Sequence, residues 1–247
     1  MKKIILILLS QLLIFSCSSK STALSWETNE AEITQRAHFS SNDVEKQYFN
    51  LLNDARLKAK QKKFSEAEQV HENAIKINPY YATAYADRGS MMSSIGEYGR
   101  ANQDYATFIS LTNPKNGYAL NQVYLLWLQL GNNIDKKLFF PTLEQSIKNN
   151  HSEKNALQSI QQYLPHWVLK GHELTAHLHF NNYKEAINTS QELLQLKEES
   201  ANSMGNFGLA MTYSKMGDVE KACSFGKQIS DPIVSAQFLS FNICPHN

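Results

Sequence analysis

Ala82-Thr-Ala-Tyr-Ala-Asp-Arg-Gly-Ser-Met-Met-Ser-Ser-Ile-Gly-Glu-Tyr-Gly-Arg-Ala101 is the stretch whose spacing decides the architecture. Tyr85, Gly89 and Met92 recur at helical intervals, Gly96 suits a turn, and Tyr98, Ala101 and Tyr105 open the face of a second helix. Gly89 and Ala101 are small, which lets two helices cross closely, and a glycine at 96 tolerates the left-handed backbone of a tight turn. The spacing predicts an antiparallel helical hairpin stopped by Asn113-Pro114.

The same offsets recur along the chain at a period of 34 residues, which points to a stack of hairpins. Tyr48 to Tyr81 carries Leu51, Ala55, Phe64, Ala67, Ala74 and Pro79 in the equivalent places. Trp167–Ser200 carries Leu174, Tyr183, Ala186, Leu193 and Leu196, and a further unit follows with Ala210, Tyr213, Gly217, Val219 and Ala222. Between them the pattern blurs. Tyr118–Leu130 reads as a helix and Gly131 as a turn, but Pro141 interrupts the next helix, and Ser152–Leu164 reads as an extra helix closed by Pro165. Asn42 with Glu45 resembles the start of the first helix, and Asp231-Pro232 opens a last helix through Phe241. The expected fold is all-α, a superhelix of helical hairpins with a degenerate central repeat and a C-terminal capping helix. Its segments are 1–16 signal peptide, 17–41 lipid attachment and polar linker, 42–115 repeats one and two, 116–166 degenerate repeat plus inserted helix, 167–230 repeats four and five, and 231–247 cap and tail.

Met1-Lys2-Lys3 followed by Ile4–Leu9 and Leu12–Phe15 has the basic start and apolar core of a secretory signal, too short to span a bilayer. Ile14-Phe15-Ser16-Cys17 resembles a bacterial lipobox, with Phe15 bulkier than that family usually shows. The resemblance implies a lipid on Cys17, a polar tether in Ser18-Ser-Lys-Ser-Thr22, and residence on the outer membrane of a Gram-negative envelope, facing the periplasm. A cleaved signal with Cys17 incidental is the competing reading. The chain has 24 basic and 23 acidic residues, and no charge excess recommends nucleic acid or a polybasic membrane contact.

Repeats one, two, four and five resemble the tetratricopeptide repeat family, most specifically in repeat two. A narrower likeness is to the outer-membrane adaptor lipoproteins that serve peptidoglycan hydrolases and a tail-specific periplasmic protease. It rests on the lipobox, on Asp87-Arg88-Gly89 with Gln103-Asp104-Tyr105, and on Tyr124-Leu-Leu-Trp-Leu128, and it stops near Ile134. The family resemblance implies a concave partner-binding groove lined by the first helix of each repeat. Carried onto this chain, it places Phe49, Leu52, Arg56, Thr83, Ala86, Ser90 and Ser93 in the groove, with Asp87 beside that line. In the later repeats it places Val168, Gly171, Thr175, Leu178, Met204, Phe207, Met211 and Ser214 there. Arg56 and Asp87 are open to three readings: solvated, paired with each other, or in contact with a partner. The surface is small and weakly apolar, suited to an extended peptide or a partner helix.

His172 and His177 lie five apart, about 140° around a helix, so they cannot chelate one metal from a regular helix; His179 and His166 are near. No phosphate-binding loop or nucleophile elbow occurs. The expected role is a non-catalytic, membrane-tethered scaffold for envelope proteins, without cofactor, metal or nucleic acid; the adaptor likeness adds a homodimer. A pilotin-like assembly factor for a secretion or pilus channel is the alternative, and a metal enzyme using His172, His177 and His179 a third. Cys223 and Cys244 sit in a disulfide-permissive compartment. They either form a bond that pins the cap, with the tail bending back near Pro245, or leave a buried Cys223 and a loose tail.

Overall fold

A computed structural model describes residues 38–156 and 163–244. These residues form eleven α-helices and one short 3-10 turn, with no strand among them. They divide into two compact units, the first ending at Leu164 and the second beginning at Pro165.

In the first unit, α1 (Asn42–Lys60) and α2 (Phe64–Ile77) form a hairpin, as do α3 (Thr83–Ser94) and α4 (Tyr98–Leu111). The cap of α1 is Ser41, not Asn42: its backbone is extended and its Oγ accepts from the Val44 N–H at 3.3 Å. Ala67, Ala74 and Ala101 are fully buried, as close crossing requires. A Cβ at Gly89 would stand 2.9 Å from the Tyr105 ring, so a side chain there would push α3 off α4. The Arg88 guanidinium closes the same crossing with two bonds to the Asp104 carboxylate, at 2.9 and 2.7 Å. Tyr48 ties the hairpins together: its hydroxyl donates to the Tyr81 carbonyl at 3.1 Å and accepts from the Ala84 N–H at 3.2 Å.

The rest of the first unit departs from the expected pattern. α5 (Gly117–Leu128) and α6 (Lys136–Ala156) both pack on α4 instead of closing tightly on each other. The expected break at Pro141 does not occur, since α6 runs through it. Pro141 is exposed, early in the helix, and the carbonyl it leaves unbonded belongs to exposed Lys137. The separate helix expected over Ser152–Leu164 is corrected likewise: residues 152–156 end α6, Tyr163 and Leu164 are not helical, and 157–162 lie outside the described residues. Buried Asn102 fastens this irregular part. Its Nδ2 donates to the Tyr98 and Asn133 carbonyls at 2.7 and 2.8 Å, and its Oδ1 accepts from Trp127 Nε1 and the Asp135 N–H at 2.6 and 2.7 Å. Around Trp127 lie the rings of Tyr105, Tyr124 and Phe139.

The second unit has two hairpins, α7 (His166–His179) with α8 (Tyr183–Gln195) and α9 (Glu199–Lys215) with α10 (Val219–Gly226). α11 (Pro232–Leu239) packs on α9. Asp231 caps it, its carboxylate accepting from the Ile233 and Val234 N–H groups at 2.9 and 3.1 Å, with Pro232 at the first helical position. Phe238 fills the space over Gly226, where a Cβ would overlap its ring.

Four hairpins share one turn. Lys62, Gly96, Asn181 and Gly217 take left-handed backbones with φ of 61°, 84°, 57° and 86°. The N–H after each bonds the carbonyl five residues earlier: Lys63 to Lys58, Glu97 to Met92, Asn182 to His177, Asp218 to Tyr213, all at 2.9 Å. This is a Schellman closure, which satisfies carbonyls left over at the helix end and starts the return helix in the same place each time. Gly131, which opens the short 3-10 turn after α5, is also left-handed, with φ 57°.

Candidate functional site: a face on the first two hairpins

The residues assigned to a groove in the first two repeats do not share one fate. Leu52 is fully buried against Tyr48, Ala74, Tyr81 and Ala84, and is therefore core, not groove. The error has a simple cause: α1 is turned so that positions 48, 52 and 55 face α2 and α3 together. Phe49 is half-buried, its ring edge-on to Tyr48 and Tyr81 at 5.5 and 5.8 Å. Thr83, Ala86 and Ser93 are partly exposed and Ser90 is exposed, so α3 offers a strip of small side chains.

Of the three readings open for Arg56 and Asp87, pairing is the one found. Arg56 Nε and a terminal nitrogen both reach Asp87 Oδ2, at 2.8 and 2.7 Å, joining α1 to α3. Arg56 also touches Asn53 Oδ1 at 3.4 Å. Burial raises the Asp87 carboxyl above its ordinary range, and Arg56 opposes that. A third pair, Arg100 with Glu68, links α4 to α2. His71 of α2 lies beneath these charges; burial, reinforced by Arg88 and Arg56, lowers its imidazole to about 4. It is accordingly neutral near pH 7, and its Nδ1 has no hydrogen-bond partner.

In the second unit, Gly171 is buried under Met204 and Leu178 is nearly so, while Val168, Met204, Phe207, Met211 and Ser214 are half-buried and Thr175 is exposed. His172 and His177 are buried and His179 is exposed, so the three do not converge. Burial lowers His172 to about 4. Among the described residues no group of three or more His, Cys, Asp or Glu is placed to hold a metal ion. Cys223 and Cys244 form a disulfide with Cα atoms 5.5 Å apart. The bend that allows it is at Asn242, with φ 49°; Pro245 lies outside the described residues.

Cys17 and its tether also lie outside the described residues. No helix among those described is long and apolar enough to cross a membrane. Where the described chain begins, His38, Phe39, Val44, Ile77 and Pro79 line a shallow cleft of about 280 Å³. Sequence reasoning missed the Asn102 hub, because a lone asparagine carries no periodic mark; the return of the tail toward the last hairpin was one of its two readings, and that return is found. Comparison with protein families, with curated proteins and with solved structures finds no match for this chain.

Proposed function

We propose that this chain is a tetratricopeptide-type scaffold, tethered to the outer membrane through a lipid on Cys17, that holds a protein partner of the cell envelope. The observation that carries the reading is the shared hairpin turn, in which four left-handed residues are each followed by the same five-residue closure. Repetition of one hairpin supports a stacked array, and stacked arrays work by presenting a surface. The partner surface we assign is Thr83, Ala86, Ser90 and Ser93 on α3, with Phe49, whose ring meets Tyr81 just ahead of that helix. Small side chains there favour close approach of an extended peptide or a helix, and the adaptor likeness suggests peptidoglycan hydrolases or a periplasmic protease as its source. The Arg56–Asp87 pair braces α1 against α3 at its edge.

A photoreactive amino acid at Ala86 or Ser93 in intact cells tests the assignment. The same crosslinked protein should be captured from both positions and lost when Thr83→Arg is added to a chain of unchanged helix content. Arg56 is left intact in this test, because reversing its charge would set two carboxylates against each other. Capture that survives Thr83→Arg removes the face from consideration. Cys17→Ala should separately abolish labelling by a fatty-acid probe; a normally labelled variant ends the lipid-tether reading.

A further inference from the structure

The end of the described chain doubles back on the helix it follows. After α11 stops at Leu239, Asn242 takes its left-handed turn and Cys244 returns to Cys223 on α10. The Phe241 ring comes to 6.4 Å from the Phe207 ring of α9. Ile243 and Cys244 join Phe207 and Met211 around the buried Ala210, Ile229 and Phe238. This is unlike ordinary core packing in two respects. Residues 241–244 are irregular backbone, and Phe207, Met211, Phe241 and Ile243 all stay partly exposed. The segment is a strap laid over α9, and its closure is covalent.

We propose that the Phe207–Met211 face of α9 is a binding surface for a short aromatic and aliphatic peptide segment, and that residues 241–244 are its built-in occupant, locked there by the Cys223–Cys244 bond. The occupant defines the ligand chemistry: a phenylalanine to meet Phe207, and an aliphatic residue two positions on, as in Phe241-Asn242-Ile243. The backbone alone keeps the strap at an effective concentration of about millimolar, and the disulfide raises that further, so an outside segment of equal chemistry competes far better once the bond is open. Release needs a dithiol reductant. The protein S–S bond breaks, both sulfurs leave as thiols, and the reductant gives up two electrons and two protons as its thiols close into a disulfide. The inference rests on the groove reading only in regarding Phe207 and Met211 as partner-facing. Its test lies on α9, whereas the groove test lies on α3, so the two can fail separately.

The probe is a fluorescein-labelled peptide with the sequence of Gln237–Asn247 carrying Cys244→Ser, followed by anisotropy against the full chain. The oxidised chain should bind it about tenfold or more weakly than the chain reduced with dithiothreitol or carrying Cys223→Ser. Adding Phe207→Ser to the reduced chain should remove binding. Should Cys223→Ser lose helix content, Phe241→Ser with Ile243→Ser dislodges the strap with the bond intact, and that chain should bind the peptide. Equal affinity in both redox states overturns the proposal, as does absence of binding by the folded strap variant. A reduced chain that forms a concentration-dependent dimer in place of binding peptide also overturns it, because a second copy is then the occupant.

Discussion

Asn102 joins more than one element through a single amide. Its amide satisfies two carbonyls and two N–H groups from three segments, in a site only 2% exposed. Asn102→Ala strands Trp127 Nε1, which is fully buried, at about 1–3 kcal/mol, while the N–H of exposed Asp135 can turn to water. The expected loss is about 2 kcal/mol, read as a lower urea midpoint with an unchanged slope. His71 and His172 make a different residue-scale prediction. Both are lowered from the ordinary 6.5 to about 4, so the folded chain favours their neutral forms. Their contribution to stability is complete above pH 6.5 and is lost as pH falls from there toward 4, by up to about 3 kcal/mol each. Asp87 and Asp104 are raised and act in the opposite sense, gaining as pH falls. The imidazole effect is therefore isolated by difference: His71→Gln should flatten the decline in unfolding free energy between pH 6.5 and 4.5. Parallel pH profiles for the two proteins would contradict it.

At the scale of elements, the shared turn makes its own prediction. Left-handed backbone costs a residue with a Cβ about 1–2 kcal/mol, less for asparagine. Gly96→Ala and Gly217→Ala should each destabilise by about 1 kcal/mol, whereas Lys62→Gly should stabilise by a somewhat smaller amount and Asn181→Gly should be nearly neutral. Thermal melts of the four variants give the order directly; a stabilising Gly96→Ala would refute the turn. These turns also explain what could be read beforehand. Gly96 and Gly217 announce themselves, and Phe64, Tyr98 and Tyr183 mark the helix that follows, so the hairpin pattern is legible from spacing alone. Leu52 departs from the groove because α1 rolls toward α2, and an offset taken from a family resemblance says nothing of how far. α6 stays continuous through Pro141 because the carbonyl that loses its bond is exposed, whereas a proline rule weighs only the lost bond. Arg88 and Asp104 stood in the sequence only as part of a likeness, sixteen positions apart, and only the crossing of α3 and α4 reveals them as a clasp.

For the molecule as a whole, the division at Leu164 and Pro165 turns the disulfide into a probe of cooperativity. Where a chain divides into compact helical units, a local change spreads only as far as the coupling between them. The Cys223–Cys244 bond closes a loop with a sequence separation of 21, which restricts the unfolded chain by about 3 kcal/mol in the loop-entropy picture. Its reduction should therefore loosen α9 to α11, where the strap, Phe238 and the Asp231 cap all meet. Ser203 and Asn206 of α9 hold the segment leading into α11 through the Asp231 N–H at 2.9 Å and the Gln228 carbonyl at 3.2 Å, independently of the sulfurs. The cap should consequently stay helical after reduction while its opening free energy falls. Native-state hydrogen exchange reads this residue by residue. With the bond reduced, amides of α9, α10 and α11 should lose protection by up to about 3 kcal/mol, while those of α1 to α4 keep theirs; Asn102→Ala should give the reverse pattern. Equal loss throughout both units would mean that the chain unfolds as one cooperative body, and the strap would then be a brace for the entire fold instead of a local closure.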